Sequence, residues 1–180
     1  MIRGERVVLR PVEEADHRLI QAWQNHPEVW FWMDYEQPFS LDDIAESEAR
    51  AREEGVPFVI EVDGRPIGRI GLNGFRGRDR ICSLYVFVGE PDEVGNGYGG
   101  EAIRALLAYA FERYDLARIE LWSLARNERA IRAYEGCGFR VDATLPARSY
   151  KDGEWHDRVI MSVTRERFEQ DSLHRKGSGS

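Results

Sequence analysis

The 180 residues carry 32 acidic and 25 basic side chains, a formal net charge of -7, and 42% hydrophobic residues. That length suits one domain around one core, and no apolar run approaches the roughly 20 residues of a membrane span. Arginines scattered among carboxylates exclude the basic stripe that phosphate backbones require, so neither nucleic acid nor membrane is an expected partner, whereas a cationic substrate suits the charge.

Residues 1–6 lack the apolar stretch of a signal peptide, and a cytoplasmic protein is expected. Cys82 and Cys137 are too few for a disulfide framework and sit among apolar neighbours, which makes both reduced core thiols. No metal cluster is expected either.

In chain order, Val7 to Val12 alternates as a strand does, and a helix from about Ala15 to Asn25 stops ahead of Pro27. An aromatic segment, Trp30 to Tyr35, leads to Ser40, which can cap a helix to about Glu54 with Asp42 and Asp43 in its first turn. Asp63-Gly64 tolerates positive φ at both positions and predicts a hairpin between Phe58–Val62 and Pro66–Phe75. Ile81 to Val88 reads as another strand. From Gly99 to Tyr114, Ala102, Ile103, Leu106, Leu107, Ala110, Phe111 and Tyr114 share one helical face, which must pack on a sheet. A strand at Arg118–Ser123, a helix at Asn127–Glu135, and closing strands at Phe139–Ala143 and Trp155–Val163 complete the pattern. Strands alternating with helices predict an α/β fold, a mixed sheet with helices on both faces, over residues 1–170. Residues 171–180, ending Gly177-Ser178-Gly179-Ser180, read as a disordered, linker-like tail.

Two motifs carry chemistry. Gly95-Asn96-Gly97-Tyr98-Gly99-Gly100 lies between a strand and a helix, where bare backbone N–H groups and a helix N-terminus can receive a phosphate. It lacks the lysine and hydroxyl of a P-loop and follows a hairpin instead of opening a β-α-β unit, so a phosphate ligand other than the usual nucleotides is implied. The second motif is the run from Asn127 to Phe139, in which Asn127 and Tyr134 stand about two helical turns apart and point along one face. Asn127 can also be a plain N-cap, and Tyr134 can pack in the core beside Ala130 and Cys137.

Together these motifs resemble the GCN5-related N-acetyltransferase (GNAT) superfamily. Its Gln/Arg-x-x-Gly-x-Gly/Ala loop maps onto Val94 to Gly99, with Val94 at the usual Gln or Arg position, and its Asn-x-x-Ala-x-x-x-Tyr run maps onto Asn127 to Tyr134. The resemblance implies a splayed mixed sheet, dimer formation, and acetyl-coenzyme A as cofactor. It implies that Val94, Gly95, Asn96, Gly97, Tyr98, Gly99 and Gly100 hold the pyrophosphate, and that the backbone at Val86, Phe87 and Val88, together with Asn127, holds the pantetheine arm. Tyr134 would be the acid that protonates the departing thiolate, a role suited to a phenol of pKa near 10.

Ser83 stands where some members carry a glutamate base, leaving Glu120, Glu90 and Asp34 as bases acting through water. Arg10-Pro11, Trp23, Gly89 to Asp92 and Asn127 to Ile131 look most like the ribosomal-protein N-terminal acetyltransferase group, RimJ/RimL-type, which implies a peptide or protein α-amine as acceptor. A small polycation, polyamine or aminoglycoside, is the alternative, and a non-catalytic acyl-coenzyme A sensor a third reading. Trp30, Trp32, Asp34 and Tyr35 are expected to line the acceptor groove, since aromatic walls with a carboxylate suit a cation.

Overall fold

A computed structural model describes residues 1–33 and 35–177, with the side chains of residues 172 and 174–177 left aside. The strands are β1 (Ile2–Arg3), β2 (Val7–Pro11), β3 (Val56–Val62), β4 (Arg65–Arg76), β5 (Ile81–Val88), β6 (Arg118–Leu124), β7 (Arg140–Lys151) and β8 (Glu154–Thr164). They form one eight-stranded sheet in the order β1-β2-β3-β4-β5-β6-β8-β7. The β3–β4 turn carries Asp63 and Gly64 at φ 51° and 77°, and the β7–β8 turn carries Asp152 and Gly153 at 51° and 83°, as both Asp-Gly pairs predict.

The helices are α1 (His17–Gln24), α2 (Pro27–Met33), α3 (Leu41–Glu54), α4 (Tyr98–Arg113), α5 (Glu128–Glu135) and α6 (Arg165–Gly177). Strand alternation sorts them onto two faces. Phe58, Ile60 and Val62 of β3 pack with Ala102, Ile103, Leu106 and Ala110 of α4, whereas Val59 joins Ile20, Trp23, Val29 and Ile44 of α1–α3. Ser40 caps α3 as predicted, accepting the Asp43 N–H while Asp43 accepts the Ser40 N–H.

Two helices lie where none was predicted. Pro27, read as a stop for α1, also opens α2, since its fixed φ and missing N–H suit a first helical position. At the other end the helix α6 runs to Gly177, so residues 171–177 are not the tail the composition suggested; Ser178 to Ser180 lie outside the described residues. The anchor for α6 is tertiary. Arg165 donates to the carbonyls of Phe111, Tyr114 and Leu116 at the end of α4, and Phe168 packs on Phe111 at 5.4 Å. The strand predicted to end at Ala143 continues to Lys151 through register shifts at Val141/Ala143 and Leu145/Ser149, which blur the alternation that marks a strand.

The join that matters for function is β5 with β6, the parallel pair. It holds for three partners only, Ile81 with Arg118, Cys82 with Ile119 and Ser83 with Glu120. Beyond them Leu84–Val88 and Leu121–Leu124 separate, while β5 stays paired to β4 as far as Val88. One edge of β5 therefore presents backbone groups with no strand beside them.

Candidate active site

The gap between β5 and β6 opens into a cavity of about 360 Å³. Leu84 to Val88 form one wall and Leu121 to Ser123 the other. Val94, Gly95, Gly97, Tyr98, Gly99 and Gly100 close one end, and Asn127, Ala130 and Tyr134 of α5 the side. The two motifs, about 30 residues apart in the chain, thus border one space because α4 and α5 both abut the splayed strands.

The loop's geometry requires its glycines. Gly95 and Gly97 take φ of 92° and 85°, left-handed values, and Gly97 stands at the N-cap of α4. A Cβ on Gly95 would meet nothing within 4 Å, so that position faces open space. The Asn96 side chain turns away, donating to the Asp92 carbonyl at 3.3 Å and to Glu93 Oε2 at 3.1 Å. Of the loop residues predicted to face a phosphate, Asn96 alone is absent from the cavity lining, and any part it plays is through its backbone.

On α5, the Asn127 Oδ1 accepts the Ala130 N–H at 3.2 Å, so this residue caps the helix and borders the cavity at once. Tyr134 borders the cavity and packs 6.2 Å from Phe139. Burial, with a smaller contribution from Cys137, pushes its phenol up to about 12. Cys137 itself donates to the Gly100 carbonyl at 3.3 Å, joining the end of α5 to the first turn of α4. Both cysteines are free and buried.

The opposite wall comes from the α1–α2 corner: His26, Glu28, Val29, Trp32 and Met33. The helical period explains which aromatic residues reach it, since positions 28, 29, 32 and 33 make one stripe of α2. Trp30 falls on another side, its ring 6.4 Å from that of Tyr35, and Tyr35 packs with Phe39 against the second core. Trp32 therefore faces the cavity, whereas Trp30 and Tyr35, also predicted for the acceptor groove, do not; Asp34 lies outside the described residues. A neighbouring cleft lined by Phe31, Arg126 and Glu128 shares Glu28, Trp32, Asn127 and Arg129 with the cavity.

Neither described base candidate reaches the cavity. Glu90 accepts Trp23 Nε1 at 2.8 Å and Arg65 Nη2 at 2.7 Å, while Glu120 pairs with Arg76 at 3.2 Å. His26 and Glu28 do reach it and were missed. Their only sequence signal is a position beside Pro27, between two expected helices. Among the described residues no group of three His, Cys, Asp or Glu could hold a metal, and no helix is long and apolar enough to cross a membrane.

A family model described as the acetyltransferase (GNAT) domain matches residues 6–140. The spermidine N(1)-acetyltransferase of Escherichia coli K12 is 26% identical over 165 residues, covering 90% of this chain and 88% of that protein. A Bacillus subtilis protein named as a candidate ribosomal N-acetyltransferase, YdaF, is 26% identical over 175 residues, covering 92% and 95%. Among solved structures, spermidine N-acetyltransferase from Vibrio cholerae in complex with CoA and spermine superposes with a TM-score of 0.86 at 23% identity, covering 92% of this chain and 99% of that one.

Proposed function

The chain belongs to the GNAT acetyltransferase family, and on that premise we propose that this acetyl-coenzyme A-dependent N-acetyltransferase modifies a primary amine of a small polycation of the polyamine kind. The observation that carries the acceptor is the α1–α2 wall, where Glu28 and Trp32 line the cavity together with Tyr85 of β5. A carboxylate with aromatic faces is what an alkylammonium chain needs. The net charge of -7 favours its approach, and the spermidine-acetylating relative supports the same class.

This reverses the order of the two acceptors read from the sequence. The peptide α-amine stays as a second reading because the Phe31–Arg126–Glu128 cleft leaves room for a chain beyond the amine. Spermidine, an aminoglycoside and an unblocked peptide, each offered with acetyl-coenzyme A and followed by thiol release, decide between them. Spermidine is expected to exceed the peptide in kcat/KM by tenfold or more, about 1.4 kcal/mol; a preference for the peptide overturns the acceptor assignment.

The residues fit the cofactor. The loop from Val94 to Gly100 supplies backbone N–H groups and a helix N-terminus for pyrophosphate, and the unpaired edge at Val86–Val88 can take the amide-bearing pantetheine arm as a strand would, with Asn127 beside it. When bound, the cofactor supplies an activated acetyl thioester. The attacking amine must be neutral, and an alkylammonium of pKa near 10.4 is less than about 0.1% neutral at pH 7. His26 and Glu28, on the acceptor wall, are the groups placed to receive that proton. Tyr134 then steadies the departing sulfur. At about 12 its phenol keeps its proton throughout the working range, so it acts first as a hydrogen-bond donor. Burial, by raising the phenol above its ordinary value, makes full transfer to the thiolate less favourable than donation to it.

A further inference from the structure

The phosphate-binding loop is held from behind by the chain's opening segment. Glu101, buried in the first turn of α4, accepts the Arg6 and Val7 N–H groups through Oε1 at 2.5 and 3.0 Å, and Arg6 Nε through Oε2 at 3.0 Å. The same guanidinium donates through Nη1 to the Asn96 carbonyl at 3.3 Å and lies 4.7 Å from the centre of the Tyr98 ring. Its Nη2 is 3.5 Å from where a Cβ on Gly97 would stand. One side chain therefore bonds to Asn96, lies over Tyr98 and stands beside Gly97 between them, while taking no part in the cavity lining.

Two physical costs meet there. A glycine loop is expensive to order, about 1–2 kcal/mol per residue of backbone entropy, and ordering it beforehand removes that cost from binding. A carboxylate in the first turn of a helix also competes with any other anion for the positive helix end. Burial works against ionised Glu101, but the two N–H groups and the Arg6 guanidinium outweigh it and hold the carboxyl below its usual range. Paired in this way, Glu101 is turned from the cavity and its charge is offset.

We propose that Arg6, held by Glu101, is a positioning residue for cofactor binding: it fixes the Asn96–Tyr98 turn in its phosphate-receiving shape and offsets the Glu101 charge beside the phosphate site.

The test compares coenzyme A with pantetheine, which lacks the pyrophosphate and nucleotide. Both affinities are read without turnover, by calorimetry for coenzyme A and by competition for pantetheine. Arg6→Gln is expected to weaken coenzyme A about tenfold, the scale of one charged hydrogen bond, and to leave pantetheine within about twofold. Arg6→Lys, which keeps the charge but not the fork, should show the same selective loss in smaller measure, and it carries the comparison if Arg6→Gln folds poorly. Arg3→Gln, on exposed β1, controls for net charge and should change neither affinity. Unchanged coenzyme A affinity, or equal losses for both ligands, would overturn the proposal.

Discussion

At the scale of single residues, the role proposed for Tyr134 is donation of a hydrogen bond to the departing sulfur. Tyr134→Phe keeps the ring and its packing on Phe139 and removes only the hydroxyl. The expected result is a kcat lowered about 10²- to 10³-fold, the scale of one lost preorganised donor, with the dissociation constant for acetyl-coenzyme A unchanged, measured by thiol release and by titration calorimetry. With its phenol at about 12, any fall in rate below about pH 11 belongs to another group. The base divides differently: replacing His26 or Glu28 by Gln should slow turnover most near pH 7, with the deficit shrinking toward pH 10 as the free amine becomes abundant. A deficit independent of pH would remove that residue from the proton path. Asn127 and Tyr134 were legible because a two-turn spacing on one helix is a local fact. His26 and Glu28 were not, since nothing local says that the α1–α2 corner swings over a gap between two distant strands.

At the scale of elements, the loop and the helices show where local signals suffice. The glycines at 95 and 97 predicted a bare backbone, and both take left-handed values that other residues resist. Gly97→Ala should cost about 1–2 kcal/mol of local strain and weaken acetyl-coenzyme A binding, read as a raised KM. The opposite case is α6. Its polar sequence carries little helical signal, and it is held by Arg165 on the carbonyl of Phe111 in α4 and those of Tyr114 and Leu116 just beyond it. Arg165→Ala should lower stability by ~2 kcal/mol, a fall of about 4–8 °C in melting temperature for a domain of this size. A similar reason hid α2, because a proline that stops one helix is equally suited to begin another.

At the scale of the whole molecule, most of the order of strands and helices was readable from the residues, whereas the splay followed only from the family resemblance. Three paired residues at the β5–β6 join, then divergence, is a property of two strands and the helices packed on either side. The pH dependence of stability is also collective. Burial raises the pKa of Cys82, to about 12, and those of Tyr35, Tyr85 and Tyr134. The unfolded chain would release these protons from about pH 9 to 10 upward while the folded chain retains them. Stability is therefore full below about pH 9 and declines toward pH 12. At the acid end, burial opposes the Asp16 charge, but Arg10 and the Glu13 N–H outweigh it and hold that carboxyl low, as the Arg6 pairing does for Glu101. That stabilisation is present above about pH 4.5 and fades as pH falls through the lowered values. Thermal melts across pH should show this plateau; a maximum at the sequence pI of about 5.2 with decline by pH 8 would contradict it.

The central claim is that the splayed strands, the glycine loop and the Tyr134 helix form one cofactor site. The most direct measurement is the melting temperature with and without acetyl-coenzyme A at about 100 times its dissociation constant. A ligand that binds only the folded chain adds about 2.7 kcal/mol at that concentration, and a rise of about 5–10 °C is expected. No rise, at concentrations up to the millimolar range, would contradict it.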